Sequence, residues 1–553
     1  MAGVNITEVH LLSVPLENDY LHTLYFASKD AQASYFLGKE KHKGTEFSYQ
    51  RKDGFIRFSK QFDKIQDCNY VMYKNSYYSN KWFYAFITKM EYKDDGNTNI
   101  FIETDVIQTW MFDYTVKSSF VEREHVSDDT VGLHTVPEAL ETGDYIVNSR
   151  NANESLLVHS LIISSTLDLN NPELSIGGSP KKFPGVSGKT YNGLFSGVKY
   201  YKVTSEQAQK IIFNLSETGQ SEGLTSIFVC PSLFVDATTP SEYTIPAFCK
   251  GPYPEVDSGQ KVDFGSWVNT FGVDEEEIYK PTSLNGYTPK NKKLLCYPYS
   301  YMLMSNNSGG SALYKYELFN CPDDANKCDF RIYSAITPGM SIRIIPRYYN
   351  GTTNNNDEGL TLGKFPICSW NTDVYTNWLT QNSVNMGLSI TSSVAQTGLG
   401  IAGILAGGMT GGLSAVAGAS ALASGLTAVA STLGEVYTHS LQPPQAEGNL
   451  NSGDVSFSAG YLTFTAHHMS IKKEYAQIID EFFTMYGYKV NRVKVPNKNH
   501  RANFWYTKTI DVNIDGAIPM EDMRKIKDCY NRGITFWKNA SNIGNYSVSN
   551  TIS

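Results

Sequence analysis

The sequence predicts a mainly β protein with some α structure, an α+β fold, on three observations. Aromatic residues make up 13% of the chain, with 36 tyrosines and 28 phenylalanines, and such side chains fit the pleated, half-buried surface of a sheet. Short runs of alternating apolar residues, broken by Gly/Pro/Ser/Asn clusters, fill most of the chain before residue 345. Apolar residues at helical spacing with charged neighbours occur only near the C-terminus. At 553 residues the chain is too long for one ordinary core, and two to four domains are expected.

Residues 1–130 read as strands. Leu12, Val14 and Leu16 alternate with other residues before Glu17-Asn18-Asp19, which has turn composition. The clearest element is a hairpin: Lys81–Lys93 is aromatic and β-branched, Asp94-Asp95-Gly96-Asn97 supplies a turn, and Thr98–Val106 returns. From about 165 to 345 many short strand-like pieces are separated by clusters such as 177–180 and 305–310, and the polar stretch 350–359 reads as an exposed loop. Further on, Ile471, Tyr475, Ile478, Ile479, Phe482, Phe483 and Tyr486 fall at helical spacing before Gly487, a residue able to stop a helix at positive φ. A second helix is expected from Pro519 to Gly533, burying Met523, Ile526 and Tyr530. Strand-like runs at 489–495, 503–510 and 534–537 surround it.

Composition and motifs exclude several functions. The formal net charge of −8 is the wrong sign for gripping phosphates. The eight cysteines form no CxxC, and Cys321 and Cys328 have no histidine beside them, so neither a zinc site nor a disulfide framework is expected. They read as small buried hydrophobes. His467 and His468 are adjacent and face opposite ways on a strand, which leaves them without a shared metal. The 94–97 run lacks the closing Glu of a calcium loop, and the acidic runs 274–277 and 357–358 read as solvated surface. No GxSxG, HExxH or P-loop pattern is present, so neither an enzyme nor a cofactor is expected. The N-terminus lacks the basic and apolar regions of a secretory signal, which implies release by lysis or a cytoplasmic life.

The segment expected to carry the function lies between Asp373 and Glu435. It holds no Asp, Glu, Lys or Arg, where average composition would place about 15 charges. Two halves, 386–407 and 412–433, are each long enough for a helix of about 30 Å, roughly the hydrocarbon thickness of a bilayer. The expected membrane-insertion residues are Leu388, Ile390, Leu399, Ile401, Gly403, Ile404, Leu405, Gly407, Gly411, Leu413, Val416, Leu422, Leu426, Val429 and Leu433. Gly403, Gly407 and Gly411 stand four apart, as do Ala415, Ala419 and Ala423, the spacing that lets helix backbones approach closely. One copy would gain only a few kcal/mol on insertion, so the composition suits an oligomeric, conditional membrane agent. A buried glycine-rich core hairpin is the competing reading. Against it, glycine costs about 1 kcal/mol per helical site and fills a core badly.

Two blocks of sequence resemble the tail-knob (distal tail tube) proteins of phi-29-like podoviruses, the small short-tailed phages of Gram-positive bacteria. One comprises Asn80-Lys81-Trp82-Phe83-Tyr84-Ala85-Phe86, the run Asp105–Asp113, and Arg123-Glu124-His125-Val126. The other comprises Phe482-Phe483, the run Tyr486–Val493, Gly533-Ile534-Thr535 and the run Asn542–Val548. Shorter echoes occur at Asn18-Asp19-Tyr20 and Leu294–Tyr299, and the uncharged segment falls where that family carries its long hydrophobic loop.

The resemblance implies tail-tube-like β-barrel or sandwich domains forming a homohexameric ring, with β-rich knob domains inserted. Under it, residues 1–165 and 441–553 are tube wall, 166–345 the knob, 346–380 a return to the tube, and 381–440 the membrane-active loop. It further implies a site at the distal end of the virion's tail, with partners in its own copies, a proximal tail or collar protein, a wall-degrading tail-tip protein and the host cytoplasmic membrane. DNA would pass through without sequence-specific binding, and the loops would plug the tube and then penetrate the membrane. A soluble pore-forming toxin, a wall-degrading enzyme and a tube with a passive plug are the alternatives.

Overall fold

The structure is a computed structural model. It describes residues 7–45, 54–75, 79–169, 220–235, 273–307, 309–334, 338–352, 354–363 and 463–553, with shorter stretches between 183 and 219 and at 237–238, 266–268, 365 and 367–369. The chain divides into two compact units. Unit 1 takes residues 1–144, 283–299 and 471–553; unit 2 takes residues 145–282 and 300–470.

The strands of unit 1 are β1 (Thr7–Leu12), β2 (His22–Leu24), β3 (Glu40–Gly44), β4 (Phe55–Phe58), β5 (Tyr70–Asn75), β6 (Trp82–Asp94), β7 (Asn97–Thr104), β8 (Tyr114–Val116), β9 (Ser119–Glu124), β10 (Tyr488–Lys494), β11 (Phe504–Ile510), β12 (Ile514–Gly516) and β13 (Ile534–Trp537). Its helices are α1 (Lys29–Leu37), α2 (Val106–Trp110), α3 (Lys473–Tyr486) and α4 (Met520–Arg532). A six-stranded antiparallel sheet runs β3-β1-β5-β6-β7-β4, and a five-stranded sheet runs β2-β13-β11-β9-β10, with β2 and β13 parallel.

Strand alternation feeds two cores from the six-stranded sheet. Tyr70, Met72, Tyr84 and Phe86 pack with Trp505, Phe536 and Trp537, while Val71, Tyr73 and Ala85 pack with Val9, Leu11, Ile100 and Ile102. A sheet buried on both faces explains why its strands are so rich in large aromatics.

The expected hairpin forms, with Asp94 paired to Asn97 across the turn. Asp94 Oδ1 accepts the Gly96 N–H at 2.9 Å, so this carboxylate shapes the turn. The return strand, however, stops at Thr104. Asp105 ends it by capping α2, its Oδ1 accepting the N–H groups of Ile107 (3.1 Å) and Gln108 (3.0 Å). Burial pushes this carboxyl up to about 6. The all-strand reading of residues 1–130 also misses α1, whose N-cap Ser28 accepts the Ala31 N–H.

Both C-terminal helices form where their spacing predicts, and both stop at glycine. Gly487 sits at φ 66°, and a Cβ there would lie 2.1 Å from the Glu124 carbonyl oxygen; Gly533 sits at φ 100°. The apolar wheel of α3 differs in detail. Ile478 is 64% exposed, whereas Asp480 is buried. On α4, Met523 is only half-buried, and Asp522 and Cys529 are buried instead.

Unit 2 is strand-rich. A six-stranded antiparallel sheet contains His159–Ser165, Leu224–Pro231 and Ile367–Ser369. A four-stranded sheet brings together Tyr145–Ala152, Thr465–Ile471, Ser300–Ser305 and Ser311–Tyr314, and another joins Val273–Tyr279 to Lys327–Ser334, Ile342–Arg347 and Leu360–Leu362. One apolar core gathers Phe228, Phe234, Met302, Tyr314, Phe330, Ile342 and Leu362. The acidic run 274–277 lies within an edge strand, where Glu277 pairs with Lys327 at 2.8 Å and Glu276 accepts from Asn153 at 2.8 Å. Cys68, Cys230, Cys296, Cys321, Cys328 and Cys529 are buried free thiols.

Candidate functional site

Every expected membrane-insertion residue, Leu388 through Leu433, lies outside the described residues. Among the described residues no helix is long and apolar enough to cross a membrane. What the structure does describe is how the chain is held on each side of that segment, within unit 2. Before it, Phe365 is fully buried, and Ile367–Ser369 pairs antiparallel with Leu224–Pro231, Ile367 opposite Phe228 and Ser369 opposite Ser226. After it, Thr463 Oγ1 donates to Asn153 O at 2.7 Å, and the Asn153 N–H donates to Phe464 O at 3.1 Å. Asn307 Nδ2 donates to Thr463 O at 2.9 Å. Phe365 and Phe464 belong to the same core. Both flanks of the uncharged segment are therefore anchored in one packed body.

The motif blocks have a different role, which unit 1 makes plain. Strand β9 closes with Arg123-Glu124, His125-Val126 follow directly, and each of these four residues ties a distant piece of chain. Arg123 donates from Nη1 to Gly487 O at 2.6 Å and pairs through Nη2 with the fully buried Glu138 carboxylate. Lys293 Nζ reaches the same carboxylate from the other side, and the Lys489 N–H donates to it at 2.9 Å. Glu124 pairs with Lys494 and accepts the Asn497 N–H at 2.7 Å. The Val126 carbonyl accepts Nε (3.1 Å) and Nη2 (2.8 Å) of Arg501. From α3, Asp480 accepts Tyr287 Oη (2.6 Å) and the N–H groups of Lys290 (2.8 Å) and Asn291 (3.0 Å), which straps residues 283–299 down. These blocks thus make a buried polar frame joining three separate stretches of chain, and a buried polar frame fixes one arrangement because each unpaired group would be costly.

His125 sits at the centre of this frame. Its Nδ1 accepts the Tyr506 N–H at 2.8 Å, so the ring proton is on Nε2 and donates to Thr484 O at 3.0 Å. Burial foremost, helped by Arg501 and Arg123, pulls its imidazole down to about 3. The unfolded chain takes up this proton near pH 6.5. The neutral ring's contribution is therefore full above that pH and is lost progressively as pH falls from about 6.5 to about 3, on the order of 4 kcal/mol at the lower end. His125→Gln should flatten the stability–pH curve in that window, measured by urea unfolding at a series of pH values.

No catalytic grouping emerges from these residues. His468 is buried and its Nδ1 bonds Tyr316 Oη at 2.7 Å, while His467 lies on the opposite strand face. Among the described residues one trio of metal-ligand types comes together, His42, Asp67 and Cys68. Both His42 nitrogens are engaged there, Nε2 with Lys64 O (2.8 Å) and Nδ1 with Lys60 Nζ (3.0 Å). Glu138, Lys293 and Asp480 carry the frame yet stand in no recognisable motif; only their burial and their partners far along the chain mark them.

Comparison with known proteins agrees with this picture. The family described as the C-terminal domain of the Bacillus phage phi29 tail knob protein gp9 matches residues 266–551, and the caudoviral major tail protein N-terminus matches residues 5–115. The tail knob protein gp9 of Bacillus phage phi29 is 28% identical over 615 aligned residues, covering 100% of this chain and 99% of that protein. The gp9 of Bacillus phage PZA is 29% identical over 614, with the same coverage. In fold, the chain matches the tail knob protein gp12 of bacteriophage C1 with a TM-score of 0.66 at 15% identity, over 99% of this chain and 100% of that one. With a family match across more than half its length, and relatives aligned from end to end, the chain belongs to the phi29-type tail-knob family and is a structural virion protein of a short-tailed phage, not an enzyme.

Proposed function

We propose that copies of this chain form a ring of six at the distal end of the phage tail. The ring is a conduit for DNA during ejection, and the uncharged segment between Asp373 and Glu435 plugs it until infection. The segments then leave the conduit and enter the host cytoplasmic membrane. The observation that carries this reading is the conjunction of about 60 residues without a single formal charge and flanks anchored in one packed core. A segment held at both ends is presented as a loop, and loops from several copies arrive at a membrane together.

Energetics favour the collective event. Aliphatic residues each contribute about −0.3 to −0.6 kcal/mol at a helix centre, and the many glycines and hydroxyls subtract from that. A single copy gains little, whereas six tethered copies add their contributions without six separate encounter costs. The net charge of −8 suits a conduit that DNA must pass without being held. A proximal tail or collar protein and a wall-degrading tip protein are the expected neighbours in the tail.

Dye release from vesicles rich in phosphatidylglycerol tests the membrane step. Intact protein should release dye and a Ser389–Thr432 deletion should not. Equal release by both, or none from assembled intact protein at any pH, would remove the membrane step and leave a passive plug.

A further inference from the structure

We propose that His42, Asp67 and Cys68 of unit 1 form a binding site for a divalent transition-metal ion of the zinc class. This goes beyond the tail-knob role and is independent of the membrane step.

Three donors from two places in the chain meet here. His42 lies on β3, an edge strand of the six-stranded sheet that pairs only with β1. Asp67 and Cys68 lie between the 3₁₀ turn Phe62–Lys64 and β5. A His42 ring nitrogen, an Asp67 carboxylate oxygen and Cys68 Sγ all stand within 4.8 Å of one another. Zinc holds such donors at about 2.0–2.3 Å, which sets them roughly 3.3–3.8 Å apart around a tetrahedral ion. The trio therefore has to close by roughly 1 Å, and two of its members are free to move. The Asp67 side chain is 58% exposed and His42 is half-buried, while Cys68 is fixed in a core with Leu11, Ile65 and Val71.

The imidazole is already oriented as a ligand. Lys64 O, which can only accept, lies 2.8 Å from Nε2, so the proton is on Nε2 and the lone pair on Nδ1. A backbone carbonyl that fixes the tautomer in this way is the common outer support of a metal-binding histidine. The Nδ1 lone pair faces the Lys60 ammonium at 3.0 Å. A cation thus stands there already, and a metal ion would take the place of that ammonium. Asp67 Oδ2 is 3.6 Å from the exposed Lys41 ammonium, and its Oδ1 accepts a weak hydrogen bond from Cys68 Sγ at 3.7 Å.

Donor chemistry selects the ion. A thiolate beside an imidazole favours zinc-like ions over magnesium or calcium, which prefer oxygen. The thiolate and the carboxylate would neutralise the ion's two charges, and water would complete a four-coordinate site. Burial pushes the Cys68 thiol up to about 11. Binding has to expel that proton, so it strengthens by about tenfold per pH unit below this value. The ion would tie the one-sided strand β3 to the lead-in of β5. The expectation of no zinc site rested on sequence spacing, whereas these donors meet only through the β3–β1–β5 pairing.

The test uses the full chain, stripped of metal by a chelator. Zinc should bind at one equivalent per chain and raise the unfolding midpoint. Cobalt(II) in its place should show the charge-transfer absorption of a thiolate ligand. His42→Ala and Asp67→Asn, both at side chains outside the core, should each weaken zinc binding at least about tenfold. Cys68→Ser should abolish the charge-transfer band, whereas Cys529→Ser, at another buried free thiol, should leave it. Should Cys68→Ser fail to fold, the His42 and Asp67 variants decide alone. Zinc binding of unchanged strength in both of those variants would overturn the site. So would a thiolate band that follows Cys529 and not Cys68, or no binding by the parent at any pH at which it stays folded. None of these results touches the membrane reading, which is decided by the Ser389–Thr432 deletion.

Discussion

Glu138→Ala is expected to lower the stability of unit 1 by about 3–5 kcal/mol, the typical cost of removing one partner from a buried ion pair. Glu138 is the hub of the polar frame, its carboxylate side chain fully buried between Arg123 and Lys293. Alanine would leave two cations and the Lys489 N–H in a buried site without their carboxylate. Both cations keep a second partner: Arg123 donates to Gly487 O at 2.6 Å, and Lys293 to Val136 O at 2.8 Å. Neither carbonyl compensates a charge. Burial already pulls the Lys293 ammonium below the usual lysine range, with Glu138 opposing that pull. Without Glu138 that opposition is gone, and the buried ammonium becomes costlier to keep charged. Glu138→Gln should fall between alanine and the parent, since it keeps shape and hydrogen bonds but not charge. Thermal unfolding of the full chain checks the series, and an alanine variant within 1 kcal/mol of the parent would mean the frame is not what joins the three stretches.

That frame also marks the limit of what sequence reasoning reaches. The β6–β7 hairpin and helices α3 and α4 were legible because their signals are local: an Asp/Gly/Asn turn between alternating runs, and apolar spacing ended by Gly487 and Gly533. Helix α1 was not, because its buried residues include Gln32 beside Phe36 and form no apolar stripe. Gln32 is buried because its Nε2 donates to Gln108 O at 2.8 Å, a partner far along the chain that no local window contains. Asp480 shows the same thing on α3. A carboxylate on the inner face and Ile478 on the outer one contradict an apolar wheel, and only residues 287–291 explain the exchange. The motif blocks identified the family correctly, but what their residues do depended on distant partners such as Glu138 and Arg501. The uncharged segment is visible from composition alone, since an absence of charge over such a length needs no tertiary context to be seen, and its membrane role is a proposal.

Placing charge inside the uncharged segment should abolish infection while sparing the particle. On the proposed function, Ile404→Asp together with Val416→Asp puts one carboxylate in each half of the segment. Each costs about 2.5–3.5 kcal/mol at a helix centre in the membrane. The pair therefore outweighs the few kcal/mol one copy gains on insertion, and the deficit recurs in every copy of the ring. Virions carrying both substitutions should assemble and adsorb, yet plaque formation should fall by at least about a hundredfold. The volume-conserving control Ile404→Leu/Val416→Leu should plate like the parent, because it keeps the apolar character that insertion uses. The two readings of the segment part at the packaged DNA. A passive plug weakened by charge would leak DNA before adsorption, so particles would be empty by nuclease sensitivity. A membrane agent disabled by charge would leave full particles that adsorb and stall. Normal plating by the double aspartate variant would sink the membrane role outright, since no bilayer-spanning arrangement of these residues hides two carboxylates per copy at no cost.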